Sequence, residues 1–170
     1  HTKSAFVLKC DIRKFFDSID HNILFSIILK RITNDKMLTL IYRIISSFET
    51  ASGKGLPLGN VTSQLFANIY LNEFDLFVKR ELKARYYIRY CDDFVIVSEN
   101  TDEILAFISR ISEFLLERLR LLLHPHKISI RALAQGIDFL GYVTLPHFRT
   151  VRTHTKRRMF RKCGIVFAHR

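Results

Sequence analysis

The sequence predicts an α+β fold: an antiparallel sheet with helices packed on one face. Three patterns lead there. Short apolar runs at residues 4–10, 86–91 and 94–98 read as strands. Longer stretches repeat apolar residues at helical spacing. An Asp-Asp pair sits between two of the strands, where a tight turn would join them.

Each element follows from local chemistry. Residues 4–10 (SAFVLKC) are apolar on both faces, which fits a buried strand, and Asp11 ends it. Residues 16–32 carry Ile19, Ile23, Leu24, Ile27 and Ile28 at helical spacing, and residues 35–48 repeat the pattern through Leu38, Ile41, Ile44, Ile45 and Phe48. Asp17 and Asp20 near the first helix start read as caps or dipole partners. Ser52, Gly53, Gly55, Pro57 and Gly59 make residues 49–60 a loop, and Asn60 or Thr62 caps a helix running to about Lys83. Strands at 86–91 and 94–98 then flank a two-residue turn at Asp92-Asp93. Residues 101–123 form the clearest helix, with Thr101 and Asp102 at its start, Ile104 to Leu122 as one apolar stripe, and His124-Pro125 as its end. Residues 127–131 and 137–145 close the chain as a pair of strands. The order is β-α-α-α-β-β-α-β-β. It brings the end of the first strand beside the hairpin turn.

Composition narrows the function classes. The 170 residues carry 27 Lys and Arg against 16 Asp and Glu, a net charge of +11. With 48% hydrophobic and 25% charged residues the chain is globular, not disordered, and 15 Phe supply core volume. Three distant cysteines (Cys10, Cys91, Cys163) with no C-x-x-C pair argue against a disulfide scaffold or a cysteine-ligated zinc, and point to a reducing, cytoplasmic compartment. No apolar run approaches the ~20 residues of a membrane span, so no membrane partner is expected. Residues 1–9 lack the order of a signal peptide, and His1 in place of Met reads as a fragment or a processed chain. Asp138 is the last acidic residue. Beyond it a basic tail from Arg149 to Arg170, with Phe148, His154 and Phe160 interleaved, suits a phosphate backbone as well as it suits a solvated terminal helix.

The predicted sheet gathers Asp11, Asp92 and Asp93 on one edge. Clustered carboxylates are unfavourable unless protons or cations offset them. Hard oxygen ligands at low count suit Mg²⁺, which binds through a few carboxylates plus substrate phosphates. Two such ions can bridge the attacking and leaving oxygens of phosphoryl transfer. Taken alone, Asp-Asp in a hairpin is also ordinary turn chemistry, and an Asp ending a strand is common.

From about Ser4 to Val143 the chain resembles the palm of a reverse transcriptase. D-I-R-K-F-F-D-S-I-D-H (residues 11–21) resembles the first catalytic motif, and G-L-P-L-G-N-V-T-S-Q (55–64) the nucleotide and template motif. Y-C-D-D (90–93) is the Y-x-D-D signature. L-H-P-H-K (123–127) lies where the family has a lysine-bearing motif, and G-I-D-F-L-G-Y (136–142) resembles the primer grip. Five motifs in the family's order are specific; an unrelated α+β domain would need five coincidences.

The resemblance implies a ferredoxin-like polymerase palm over residues 1–145, with 16–50 partly palm–fingers helices, and a basic thumb start, cut short, over 146–170. Asp11, Asp92 and Asp93, with the carbonyl of Ile12, would hold two Mg²⁺ ions, or Mn²⁺ as a substitute. The primer 3′-hydroxyl would attack the α-phosphate of a dNTP on an RNA template, and Lys127 would sit near the leaving pyrophosphate as its proton donor. Phe16 would lie under the sugar and reject a ribose 2′-hydroxyl. Read on its own, Phe16 is equally a core residue. Pro57, Leu58, Gly59 and Gln64 would line the nucleotide, and Phe139, Leu140, Gly141 and Tyr142 would grip the primer. The partners implied are template RNA, a DNA or RNA primer, dNTPs and an accessory RNA or protein. Leu58 and Ser63-Gln64 depart from the retroviral and group II intron pattern, where Gln follows the Pro and Ser-Pro comes a few residues on. The L-G-N-V-T-S-Q run resembles enzymes of bacterial or phage diversity-generating retroelements. The alternatives are a group II intron- or retron-like reverse transcriptase, or a maturase-like module that binds RNA without chemistry.

Overall fold

The computed structural model describes residues 5–162; Ser4, Cys163 and Arg170 lie outside the described residues. The main sheet has four strands: β1 (Phe6–Asp11), β2 (Tyr86–Tyr90), β3 (Asp93–Ser98) and β4 (Ser129–Ala132), in the order β2-β3-β1-β4. All three pairings are antiparallel. The helices are α1 (Phe15–Ser18), α2 (His21–Leu29), α3 (Asp35–Ser46), α4 (Val61–Leu76) and α5 (Thr101–Leu119). A small second sheet of β5 (Ile137–Phe139), β6 (Tyr142–Thr144) and β7 (Arg149–Val151) follows, then helix α6 (Thr153–Lys162). The α+β fold with an antiparallel sheet is the one the sequence predicts.

Alternation along the strands decides what faces what. Leu8, Cys10, Phe94 and Ile96 are buried in one core with the helices. Phe74 of α4 anchors that core through edge-on contact with Phe94, at 5.0 Å between ring centroids. By the same alternation Asp11 and Asp93, which are register partners, lie on the sheet face turned away from the helices. Among the described residues no helix is long and apolar enough to cross a membrane.

Four local expectations are corrected. The helix expected over 16–32 is broken, because Ile19 is extended and Asp20 starts α2 afresh by accepting the N–H groups of Asn22 and Ile23. The clearest helix ends at Leu119, not at His124-Pro125: Arg120 turns left-handed (φ 50°) and Leu121 buries itself. Asn100 caps that helix by accepting from Asp102 and Glu103 N–H. The hairpin turn is Cys91–Asp92, one residue earlier than expected; Tyr90 pairs with Asp93, and Cys91 has φ 51°. The two closing runs do not pair with each other. The first supplies β4, which pairs with β1, and residues 137–145 fold on themselves as β5 and β6. β6 and β7 pair with each other on either side of residue 145.

Candidate active site

The site begins at the end of β1. Asp11 and Asp93 are Cα partners in the β1–β3 register, and Asp92 sits in the adjoining turn. Two backbone bonds lock this junction. Ile12 N–H donates to the Asp92 carbonyl at 3.3 Å, and His124 N–H donates to the Asp11 carbonyl at 2.8 Å. An isolated bridge between Ile12 and Leu123 continues the strand. The segment that would have extended α5 therefore becomes a wall of the site. It ends in a turn, Lys127 N–H to His124 carbonyl, that delivers the Lys127 ammonium to Asp11 Oδ2 at 2.8 Å.

The electrostatics are those of crowded carboxylates. Burial pushes the Asp92 carboxyl above its ordinary range, and Asp11 and Asp93 push it further. Burial also raises Asp93, and Asp11 adds to the shift, while Lys9, Lys127 and Arg152 oppose it. Lys127 is shifted upward, first by its hydrogen bond to Asp11 and then by the charges of Asp11, Asp93 and Asp92. Positive charge is thus favoured here. Among the described residues, no three His, Cys, Asp or Glu side chains are gathered in a group that could hold an ion as they stand. The donor chemistry still fits Mg²⁺, which takes one or two carboxylates and completes its shell with water and substrate phosphates.

The expected nucleotide residues fall into two sets. Phe16 is half-buried, edge-on to Phe15, and its carbonyl accepts Leu56 N–H at 2.8 Å. That bond and Gly55 N–H to Ile19 carbonyl stitch the 49–60 loop to the α1–α2 segment, so Phe16 and Pro57 share one wall. Gly55 is required there: at φ 107°, a Cβ would lie 2.5 Å from Thr50 Oγ1. Leu58 (76% exposed), Gly59 and Gln64 stand instead on the open rim.

Phe139, Leu140, Gly141 and Tyr142 form the β5–β6 hairpin, with Leu140 and Gly141 at positive φ as its two turn residues. Lys9 Nζ donates to the Asp138 carbonyl at 2.9 Å, tying this hairpin to β1 two residues before Asp11. Asp138 also pairs with Arg152. The small sheet is therefore tethered beside the carboxylates.

Residues 1–144 match the family model of reverse transcriptase (RNA-dependent DNA polymerase). The chain belongs to the reverse transcriptase family. Protein YkfC of Escherichia coli strain K12 is 28% identical to this reverse transcriptase chain, over 83% of the chain and 47% of that protein. The group II intron-encoded protein LtrA of Lactococcus lactis subsp. cremoris is 38% identical over 45% of the chain and 14% of that protein. The chain thus spans less than half the length of these relatives. Telomerase from Candida Tropicalis, solved with a TWJ fragment of telomeric RNA, superposes with a TM-score of 0.68 at 16% identity, covering 90% of this chain and 30% of that one. The foamy viral protease-reverse transcriptase, solved with an RNA/DNA hybrid, gives 0.57 at 19% identity, covering 97% and 19%. These two likenesses show the shared polymerase fold.

Three features around the candidate site were missed in the sequence: the Arg89 clamp, the Asp20–Arg120 pair and the His21 bond. Arg89 clamps Asp75 of α4 and donates to the Cys91 carbonyl, holding the turn that carries Asp92. A signal existed: alternation in YYIRY puts Arg89 on the helix-facing side, where a charge needs a partner. Buried Asp20 caps α2, as its place near the helix start predicts, but its pairing with Arg120 was not foreseen. Buried His21 shares a 2.7 Å hydrogen bond with the Gly55 carbonyl. Those last two pairings join residues far apart in sequence, and no local pattern announces them.

Proposed function

We propose that the chain is the catalytic palm of an RNA-directed DNA polymerase. The observation that carries this reading is the pairing of Asp11 with Asp93 at a strand end, beside Asp92 and under the ammonium of Lys127. Asp11, Asp92 and Asp93, with the Ile12 carbonyl, are the groups that would hold two Mg²⁺ ions, or Mn²⁺ in their place. Bound there, such ions would lower the pKa of the primer hydroxyl and offset charge on the phosphates.

The primer 3′-hydroxyl gives up its proton to water as its oxygen attacks the α-phosphorus of a dNTP. The bond from that phosphorus to the bridging oxygen breaks, and pyrophosphate leaves with the electron pair. Lys127 is held by Asp11 and would protonate the leaving group. Phe16 excludes ribose by its bulk, Pro57, Leu58, Gly59 and Gln64 line the nucleotide, and residues 139–142 steady the primer end. Residues 1–145 form the palm and 146–170 begin a basic thumb that follows the backbone of template RNA and primer. A bacterial or phage origin, a cytoplasmic setting and an accessory RNA or protein belong to the same proposal.

Two lineages compete. The L-G-N-V-T-S-Q run favours a diversity-generating retroelement. The intron-encoded relatives favour an intron-type enzyme, and with it an RNA-binding, maturase-like role. Extension of a primer on RNA, run with the natural protein that carries these residues, tests both. Synthesis with dNTPs in Mg²⁺ supports the polymerase, and product errors concentrated opposite adenine support the retroelement. RNA binding that persists in EDTA and falls steeply with salt, with no synthesis in Mg²⁺, overturns the polymerase in favour of a binder.

A further inference from the structure

The peptide unit between Gly55 and Leu56 has both of its polar groups taken by the α1–α2 segment. Leu56 N–H donates to the Phe16 carbonyl at 2.8 Å, and the Gly55 carbonyl accepts from His21 Nε2 at 2.7 Å. A carbonyl only accepts, so Nε2 carries the hydrogen. Among the described residues no other donor reaches that carbonyl. His21 is 7% exposed and Leu56 is buried beside it, which leaves little water to take the place of the ring. The neighbours of this peptide make its orientation matter. Gly55 stands at φ 107° and has no side chain to hold its ψ, so the peptide plane is free to swing unless it is pinned. Pro57 follows Leu56 with its own φ locked by its ring. The plane of the Gly55–Leu56 peptide therefore sets the direction in which residues 57–59 leave the α1–α2 segment.

We propose that His21 is a positioning residue for the nucleotide-lining loop: its ring orients the Gly55–Leu56 peptide, and through it the placement of Pro57, Leu58 and Gly59 against Phe16. What the loop touches rests on the polymerase reading above; how the loop is held does not. The ring stands on a fixed base. His21 is the first residue of α2, and its own N–H donates to the Gly53 carbonyl at 3.0 Å. Asp20, just before it, caps the helix and pairs with Arg120. A donor on a rigid element holds its partner more tightly than one on a loop. The bonds of Gly53, Gly55 N–H and Leu56 to this segment run backbone to backbone, so the ring bond is the one among them that a side chain supplies. The carboxylates are held separately, by Ile12 N–H on the Asp92 carbonyl and His124 N–H on the Asp11 carbonyl. Loss of the ring should therefore loosen the fit of the nucleotide and leave the chemical step.

Hydrogen exchange read by mass spectrometry and single-nucleotide primer extension, both on the natural protein that carries these residues, test this. In His21→Leu, amides of residues 53–56 are expected to exchange about tenfold faster, the value of one hydrogen bond, with β1 and β3 unchanged. KM for dNTP should rise about tenfold with kcat within about twofold, and the preference for dNTP over rNTP should narrow. His21→Gln places an N–H donor at the same reach and should restore both readouts. His21→Asn is too short to reach the carbonyl and should behave like leucine; it decides the matter if leucine prevents folding. Unchanged exchange at residues 53–56 in the folded loss variants overturns the proposal. So does failure of His21→Gln to restore the parent values, since the ring would then act by packing. A fall in kcat with KM unchanged overturns it too, because the effect would then lie at the carboxylates. Exchange needs neither metal nor nucleotide. If the parent makes no DNA while exchange at residues 53–56 follows His21 as expected, the polymerase reading fails and the positioning of the loop stands.

Discussion

Arg89 grips both carboxylate oxygens of Asp75, Nε to Oδ1 at 2.8 Å and Nη2 to Oδ2 at 2.6 Å. Its Nη1 donates to the Cys91 carbonyl at 2.9 Å, and Tyr87 Oη donates to Asp75 Oδ1 at 2.6 Å. One half-buried fork thus fixes the β2–β3 hairpin to α4. Lysine cannot reproduce a bidentate grip. In the natural protein, Arg89→Lys is therefore expected to lower kcat for primer extension by about ten- to a hundredfold, the cost of roughly 1 Å of misplacement. KM for dNTP should change little, because the partners of Arg89, which are Asp75, Asn68 and Cys91, are not among the residues proposed to line the nucleotide. Steady-state kinetics separate the two constants.

The carboxylates at the β1–β3 junction are expected to cost stability. Asp92 and Asp93 are raised above their unfolded values, chiefly by burial. The native state then holds more protons than the unfolded chain between the two pKa values, so stability falls as pH rises through that window and stays lower above it. Asp92→Asn and Asp93→Asn are each expected to raise Tm at pH 7 in EDTA. Scanning calorimetry at pH 5 and pH 7 checks this, and the gain should shrink at the lower pH.

The aromatic at position 16 gives a selectivity prediction. Phe16 is half-buried and shares its wall with Leu56 and Pro57 through a backbone bond. Phe16→Ala should open space beside the sugar and raise ribonucleotide use relative to dNTP about tenfold or more. Competition between rNTP and dNTP in single-nucleotide incorporation reads the ratio.

Gly55 ties the 49–60 loop to the α1–α2 segment and has no room for a methyl group. A Cβ would strike Thr50 Oγ1, and φ 107° strains any L side chain. Gly55→Ala should destabilise the chain by about 1–3 kcal/mol. Urea titration followed by circular dichroism measures it.

Burial also silences one thiol. It pushes Cys10 up to about 12, and the charge of Asp11 adds to this. Iodoacetamide at pH 8 should leave Cys10 unmodified in the folded chain and label it in urea, as read by peptide mass spectrometry.

What the sequence made legible was local. The run from Phe6 to Cys10 reads as a strand because it is apolar on both faces, and it is one. Asp11, Asp92 and Asp93 could be brought together because a strand end beside a hairpin turn admits few arrangements. The turn was misplaced by one residue because Asp-Asp is ordinary turn chemistry, whereas Cys91 takes the left-handed position with its carbonyl bound by Arg89. Leu122 continues a helical stripe, so nothing nearby betrays that Leu121–His124 leaves the helix to pair with the chain after Asp11. That exchange is decided by long-range backbone bonds, and so is the pairing of Ile130 with Leu8 instead of with the segment that follows.

The most direct test of the central claim is primer extension on an RNA template, with dNTPs and Mg²⁺, by the natural protein and by its Asp92→Asn/Asp93→Asn variant. Extension by the parent and none by the folded variant is the predicted result. Equal extension by both would contradict the assignment of chemistry to these carboxylates.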